Sequence, residues 1–170
     1  MTYPRNDRLS ITLAVAAIEG GKEMIERIPV ISLWQPWAEW VSLGWKTVET
    51  RTHKRFANLQ GKRIGIHAAL KWDKAAFIAA YPYLTQQQFE QSATFLRLGG
   101  AIICTAFVVA HMELSSSDSK AALIDCASIK RYGLILADVR PIEAVPCAGK
   151  QGIWYAEIET GKDTAHDLTQ

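Results

Sequence analysis

One short stretch, residues 31–51, most constrains how this chain can fold. It reads ISLWQPWAEWVSLGWKTVETR and holds four of the six tryptophans in the chain. Pro36 suits the first turn of a helix, where its missing N–H is not needed. Three apolar residues then follow at the spacing of one helix face, namely Trp37, Trp40 and Val41. Gly44 predicts the end of this helix, because glycine enters the left-handed region without penalty.

A charged group follows Gly44 and begins a predicted strand over residues 46–52. Strict alternation puts Thr47, Glu49 and Arg51 on one face of that strand and Val48 on the other. Lys46 is either a lysine whose pKa is lowered in a partly dry cleft, and hence a nucleophile or base, or a solvated lysine packed over tryptophan. We predict a site at this helix-to-strand turn, with Lys46 and Glu49 as its candidate catalytic pair.

The predicted elements place further candidates near the turn. Ser32 and Gln35 precede the helix and can cap it, and Gln35 can also read the edge of a base. Trp34 is the candidate stacking face for a base, whereas the helical spacing of Trp37 and Trp40 predicts core positions. Arg51 either forms an ordinary ion pair with Glu49 or binds a phosphate or a base edge.

Three more groups have both a functional and an ordinary interpretation. His67 lies on a predicted strand, opposite the apolar face of Ile64 and Ile66, as a pocket residue or a structural histidine. Lys150 and Gln151 lie in a glycine-flanked loop that either approaches a ligand or simply turns between strands. Four basic residues either hold phosphates or belong to a solvated loop: Lys54, Arg55, Lys62 and Arg63.

Composition narrows the class of protein. The net charge of +2 over 170 residues does not indicate strong non-specific nucleic-acid binding, but it permits a local basic patch. The three cysteines are far apart, without a C-x-x-C pair, which favours a reducing compartment. No stretch is long and apolar enough to span a bilayer, so we expect a cytoplasmic protein without a membrane partner. No metal-ligand spacing occurs, and we expect neither metal nor cofactor.

The remaining pattern alternates strands with short helices. Predicted strands cover residues 29–33, 46–52, 63–70, 101–112, 133–139 and 153–158, and predicted helices follow Pro36 and cover residues 72–80, 85–98 and 120–129. Few strands are followed by a regular crossover, which favours an α+β fold with a small mixed or antiparallel β-barrel and inserted helices. We expect an N-terminal extension over 1–27, packed on the domain or on a second copy in a homodimer, a domain over 28–160 and a polar tail over 161–170.

Four separated motifs resemble one family when taken in order. They are SLWQPWA followed by G-x-K-x-x-E-x-R, then GKRIGIHAA, then YGL with VRP, and finally GKQGIW. Together they resemble the activating-signal-cointegrator homology (ASCH) domain over about residues 28–154, and several ordered motifs are more specific than one. The resemblance implies a small barrel related to the PUA domain, with a cleft beside the helix-to-strand turn. It also implies RNA, another single-stranded nucleic acid or a modified nucleoside as ligand.

The same resemblance implies an enzymatic alternative. Some small bacterial members hydrolyse N4-acetylcytidine with a lysine nucleophile and a Thr/Glu pair, and others are proposed ribonucleases. Lys46 matches the nucleophile, but Glu49 stands where those members have threonine, and no residue here matches their later glutamate. We therefore predict a domain that binds RNA or a modified nucleoside, with an N4-acetylcytidine-type amidohydrolase or a ribonuclease as the alternatives.

Overall fold

The structure is a computed structural model that describes residues 24–93 and 99–160. The chain divides into two compact units, residues 27–156 and a second unit of residues 1–26 with 157–170. Only residues 24–26 and 157–160 of the second unit are described. Most of the predicted N-terminal extension and all of the predicted tail thus lie outside the described residues, so the packing of the extension stays a prediction.

The described residues form one six-stranded sheet. Its strands are β1 (Met24–Gln35), β2 (Val48–Arg51), β3 (Arg63–Trp72), β4 (Ala101–Glu113), β5 (Tyr132–Pro146) and β6 (Ile153–Thr160). Their order in the sheet is β2-β5-β4-β3-β1-β6. β1 pairs with β3 in parallel, whereas the β3–β4, β4–β5 and β5–β2 pairs are antiparallel. The mixed sheet curls into a half-barrel with a few short helices, which confirms the predicted α+β class.

Four short α-helices interrupt the strands in the described ranges. They are α1 (Trp37–Ser42), α2 (Lys74–Ala79), α3 (Gln86–Ala93) and α4 (Ser119–Ala122). α3 starts with a capping box, since the Thr85 and Gln88 side chains each accept a hydrogen bond from the other residue's N–H. The expected continuation of α3 to residue 98 lies outside the described residues. None of the described helices has both the length and the apolar content to cross a membrane.

Three predicted elements differ from the structure by more than two residues at one end. The strand expected over 29–33 begins at Met24. The helix expected over 120–129 ends at Ala122, because Leu123 takes the left-handed conformation with φ 55. The strand expected to end before Pro141 continues through it to Pro146. Pro141 lies opposite Cys104, next to a register shift in the β4–β5 ladder. A missing N–H is tolerated at such an irregularity, which is why the proline does not end the strand.

The core brings together residues that are far apart in the sequence. The main apolar cluster joins α1 to β1, β3, β4 and β5, and it includes Cys104, whose pKa is raised to about 12 by burial. Cys104 is thus a buried residue of the apolar core. Trp40 is fully buried in a second cluster, and its indole N–H donates to Ser92 Oγ at 2.8 Å. The core prediction is thus confirmed for Trp40, whereas Trp37 is only half-buried.

Candidate functional site: an aromatic pocket with buried charges

A pocket of about 520 Å³ lies among β1, α1, β2 and α2. Its apolar lining comprises Leu33, Trp34, Trp37, Ala75, Ala76, Ala79 and Ile124, and its polar lining comprises Ser32, Lys46, Glu49, Thr50, Arg51 and Asp73. This volume is within the range of small-molecule sites in proteins. The pocket thus contains the predicted catalytic pair together with Ser32, Trp34 and Arg51 from the predicted ligand-binding set.

The end of α1 turns Lys46 towards this pocket. Gly44 has φ 72, as the predicted helix end requires, and the N–H groups of Trp45 and Lys46 both donate to the Trp40 carbonyl oxygen. Thr47 then joins the sheet, because its carbonyl oxygen accepts from the Leu136 N–H at 2.8 Å. These local bonds fix the chain on both sides of Lys46, so the lysine side chain has a defined direction.

Lys46 is buried, with about 1% of its surface exposed. Its Nζ donates to the carbonyl oxygens of Val48 and Ala122, each at 2.7 Å. The same atom lies 3.6 Å from Glu49 Oε2 and 4.8 Å from the centre of the Trp37 ring. Burial lowers the pKa of Lys46, and the nearby Glu49 carboxylate acts in the opposite direction. The alternative of a solvated lysine over tryptophan is therefore wrong.

Glu49 bridges two cations. One carboxylate oxygen faces Lys46, and the other lies 3.0 Å from Arg51 Nη1. The guanidinium of Arg51 lies over the Phe56 ring at 4.8 Å, and its buried Nε has no hydrogen-bond partner among the described residues. Only about 5% of the Glu49 side chain is exposed. The three side chains thus form a cation–carboxylate–cation chain that is buried at Lys46 and Glu49 and 25% exposed at Arg51. The predicted ion pair between Arg51 and Glu49 is present, and a ligand contact of Arg51 stays a prediction.

The two indoles in the pocket lining differ in exposure. Trp34 is 46% exposed, and Lys71 Nζ lies 3.3 Å from the centre of its ring. Trp37 packs edge-on against Trp40, with the ring centres 5.1 Å apart, and also faces Lys46. Trp37 therefore belongs to the pocket wall as well as to the edge of the core. The helical spacing of Trp37 predicted a core position and could not distinguish the core from the pocket wall.

The two polar residues before α1 have separate roles. Ser32 lines the pocket and accepts a hydrogen bond from Trp154 Nε1 at 3.2 Å instead of capping α1, so the capping interpretation is wrong for Ser32. Gln35 is buried, and its side-chain oxygen accepts from the Glu39 N–H at 3.1 Å. Gln35 thus serves the start of α1, as the capping interpretation predicts, and it is not in the pocket lining.

His67 and the glycine-flanked loop meet outside the pocket lining. His67 is buried, and its Nε2 donates to the Cys147 carbonyl oxygen at 3.1 Å. The loop passes so close that a Cβ added to Gly149 would lie 2.4 Å from His67 Cε1. Lys150 and Gln151 are exposed on this loop. The structure therefore places His67 against this loop. The loop also approaches the pocket, because the same added Cβ would lie 3.0 Å from Oγ of Ser32.

The four basic candidates also lie outside the pocket lining. Lys54, Arg55 and Lys62 are exposed, and Lys54 Nζ lies 5.2 Å from the centre of the Tyr132 ring. Arg63 instead pairs with the Asp138 carboxylate. Arg63 is thus already partnered within the protein, and the other three are available to a ligand outside the pocket.

Several pocket residues were not predicted. Asp73 caps α2 by accepting from the Ala76 N–H at 3.0 Å, and the small residues of α2 form part of the wall. Asp73 before an alanine-rich run is a helix-start signal, but it says nothing about which pocket the helix faces. Ile124 and the Ala122 carbonyl come from a distant segment that no local pattern connects to Lys46. Within residues 24–93 and 99–160, no group of three or more His, Cys, Asp or Glu residues is arranged to hold a metal ion.

Of three comparisons with known proteins, the one with solved structures found similar chains. No protein-family model matches the sequence, and no curated protein matches it. The chain is similar to the crystal structure of ASCH from Zymomonas mobilis, at 20% identity and a TM-score of 0.45, over 69% of this chain and 72% of that chain. One mutant form of the Zymomonas mobilis protein matches at 21% identity and a TM-score of 0.45, over 69% of this chain and 72% of that chain. Another mutant form matches at 18% identity and a TM-score of 0.42, over 69% of this chain and 74% of that chain. All three of these crystal structures are of ASCH proteins from Zymomonas mobilis, and the sequence motifs of this chain resemble the same family.

Proposed function

We propose that this protein binds a nucleobase, within RNA or as a modified nucleoside, in the pocket lined by Trp34, Trp37 and the buried charges. The observation that carries the proposal is the placement of Glu49 and Arg51 beside two indoles in one pocket of about 520 Å³. Indole faces stack on any base, a carboxylate accepts from a ring amine, and a guanidinium donates to ring acceptors. These are the contacts that a planar, polar-edged ligand requires.

Charge and space support the same ligand class. The lining carries two cations, Lys46 and Arg51, and two carboxylates, Glu49 and Asp73. It therefore offers both hydrogen-bond donors and acceptors to the polar edge of a ligand. The buried Arg51 Nε offers a further donor. The α2 wall consists of alanines, whose short side chains leave room for a ring system. One oxygen of the Asp73 carboxylate accepts the Ala76 N–H at the start of α2.

Replacing Trp34 with alanine is expected to weaken nucleoside binding about tenfold, because base–indole stacking contributes roughly 1–3 kcal/mol. The measurement is isothermal titration of N4-acetylcytidine and the four unmodified nucleosides. Leu43→Ala is the matched control, since Leu43 is 40% exposed and lies outside the pocket lining. Equal affinities for the wild type and Trp34→Ala would remove the stacking role, and no binding by the wild type would reject the proposal.

A second candidate function is hydrolysis of an acyl amide on a modified cytidine, favoured by the burial of Lys46 and its lowered pKa. A neutral amine can donate its two N–H groups to the Val48 and Ala122 carbonyls and keep its lone pair for the acyl carbon. Attack forms an Nζ–acyl bond, and a proton passed by Glu49 lets the cytidine amine leave. Water then hydrolyses the acyl-lysine, releasing a carboxylic acid and restoring Lys46.

Incubation with N4-acetylcytidine, followed by chromatography, tests this second function. We expect the wild type and Lys54→Met to release cytidine and Lys46→Met to release none, with circular dichroism checking that each variant is folded. Cytidine release by folded Lys46→Met would exclude Lys46 as the nucleophile. An RNA oligonucleotide incubated in parallel tests the ribonuclease alternative, which intact RNA would exclude.

A further inference from the structure

The sheet face that carries the pocket charges continues beyond the pocket. Arg51 on β2 lies directly opposite Tyr132 on β5, and Tyr132 lies opposite Glu113 on β4. Directly opposite residues of antiparallel strands place their side chains on the same face, with Cα atoms about 5 Å apart. The Tyr132 side chain is therefore the neighbour of Arg51 on the face that supplies the pocket lining.

The adjacent row of the same face brings in a second ring. Glu49 lies opposite Leu134, and Leu134 lies opposite His111. The His111 ring stacks on Tyr132, with ring centres 6.0 Å apart and planes 14° from parallel. Tyr132 on β5 and His111 on β4 thus place two nearly parallel aromatic rings on the sheet face that also carries Glu49 and Arg51.

Cations surround this stack. Lys54 Nζ lies 5.2 Å and Lys130 Nζ 5.7 Å from the centre of the Tyr132 ring. We call Tyr132, His111, Lys54 and Lys130 the Tyr132 platform. Lys130 also pairs with Glu113 at 2.8 Å, a contact between two exposed side chains that contributes little to stability. With Arg55 exposed next to Lys54, the platform retains a positive excess that suits a phosphate.

His111 adds a ring that is neutral at neutral pH. Burial lowers its pKa, and the nearby Lys54 ammonium lowers it further. Its Nε2 is buried and has no hydrogen-bond partner in the part of the chain that the structure describes. The neutral ring therefore suits base stacking without adding charge, beside cations that suit a phosphate.

We propose that the Tyr132 platform binds the nucleotide next to the one whose base enters the pocket. The inference rests on the proposed function and extends it, since it makes the ligand a single-stranded polynucleotide and not a free nucleoside. Aromatic rings interleaved with cations are the arrangement that binds single strands, through base stacking and phosphate contacts. The shared sheet face places this second subsite one residue pair away from Arg51.

Two variants separate the platform from the pocket. Tyr132→Leu keeps apolar bulk on β5 but removes the flat ring, and Lys54→Ala removes an exposed cation without touching the core. Arg140→Ala is the charge-matched control, because Arg140 is an exposed cation on β5 outside the platform and the pocket lining. The probes are the nucleosides titrated above and mixed-sequence single-stranded RNA octamers centred on each of the same bases.

We expect Tyr132→Leu to weaken octamer binding about tenfold and to leave nucleoside binding unchanged. Lys54→Ala should weaken octamer binding several-fold and reduce the slope of log affinity against log salt by about one. Arg140→Ala should match the wild type. If both platform variants bind the octamers like the wild type while nucleosides still bind, the subsite is overturned and the pocket proposal stands. If the wild type binds neither probe, both proposals fail.

Discussion

Replacing Lys46 with methionine is expected to lower the free energy of unfolding at pH 7 by about 3 kcal/mol. Methionine fills similar space but leaves the Val48 and Ala122 carbonyl oxygens without their donor. It also leaves the buried Glu49 carboxylate with Arg51 as its remaining cation. Each buried group that loses its partner costs about 1–3 kcal/mol, and removal of the lysine desolvation penalty offsets part of that loss. Urea denaturation at equilibrium measures the difference.

The loss should also depend on pH. Burial lowers the pKa of Lys46 below its ordinary value of 10.5, so the folded state binds fewer protons than the unfolded state between those two values. The stability contributed by Lys46 therefore rises with pH through that window, and the methionine variant lacks this rise. The difference between wild type and Lys46→Met should grow as the pH approaches 10.5. A difference that is constant or shrinks across the window would contradict the assignment.

Lys54→Met is the matched control for this experiment. Both lysines lie over an aromatic ring, Lys46 over Trp37 and Lys54 over Tyr132, but Lys54 is exposed. Substitutions of exposed side chains usually leave stability nearly unchanged. If Lys46→Met and Lys54→Met lost equal free energy of unfolding, the burial of Lys46 would not explain the destabilisation.

Replacing Glu49 with glutamine is expected to lower the free energy of unfolding by about 3 kcal/mol while keeping the shape of the side chain. The change leaves Lys46 and Arg51 as neighbouring cations without the carboxylate between them. Because Glu49 is the largest influence raising the pKa of Lys46, that pKa should fall further in the variant. Urea denaturation measures the first effect, and NMR titration of the Lys46 side chain measures the second.

Glu113→Gln is the control for the charge of Glu49. Glu113 pairs with Lys130 at 2.8 Å, but both side chains are more than half exposed. Water already solvates such a pair, so we expect the stability of this variant to stay close to that of the wild type. A Lys46 titration in Glu49→Gln at or above the wild-type midpoint would contradict the electrostatic role of Glu49, whatever the change in stability.

Local signals predicted the start and end of α1 and the common face of Glu49 and Arg51. Pro36, the tryptophan spacing and Gly44 act within one or two helical turns, so neighbouring residues in the sequence are enough to predict their effects. The reciprocal bonds of Thr85 and Gln88 are local in the same sense. The candidate pair Lys46 and Glu49 also follows from this stretch, although their roles in binding or catalysis remain proposals.

The surroundings of that pair depend on contacts between distant segments. One of the two carbonyl oxygens that accept from Lys46 belongs to Ala122, 76 residues away, and the donor to Ser32 belongs to Trp154, 122 residues away. The α2 wall and the Tyr132 platform likewise depend on strand order and register, which periodicity does not specify. The sequence by itself thus determined that Lys46, Glu49 and Arg51 follow the end of α1 and that Glu49 and Arg51 share a face, because helix ends and strand alternation are set by neighbouring residues. Only the tertiary structure decided that Lys46 is buried, that Trp37 lines the pocket and that Ser32 does not cap α1, since these depend on long-range packing.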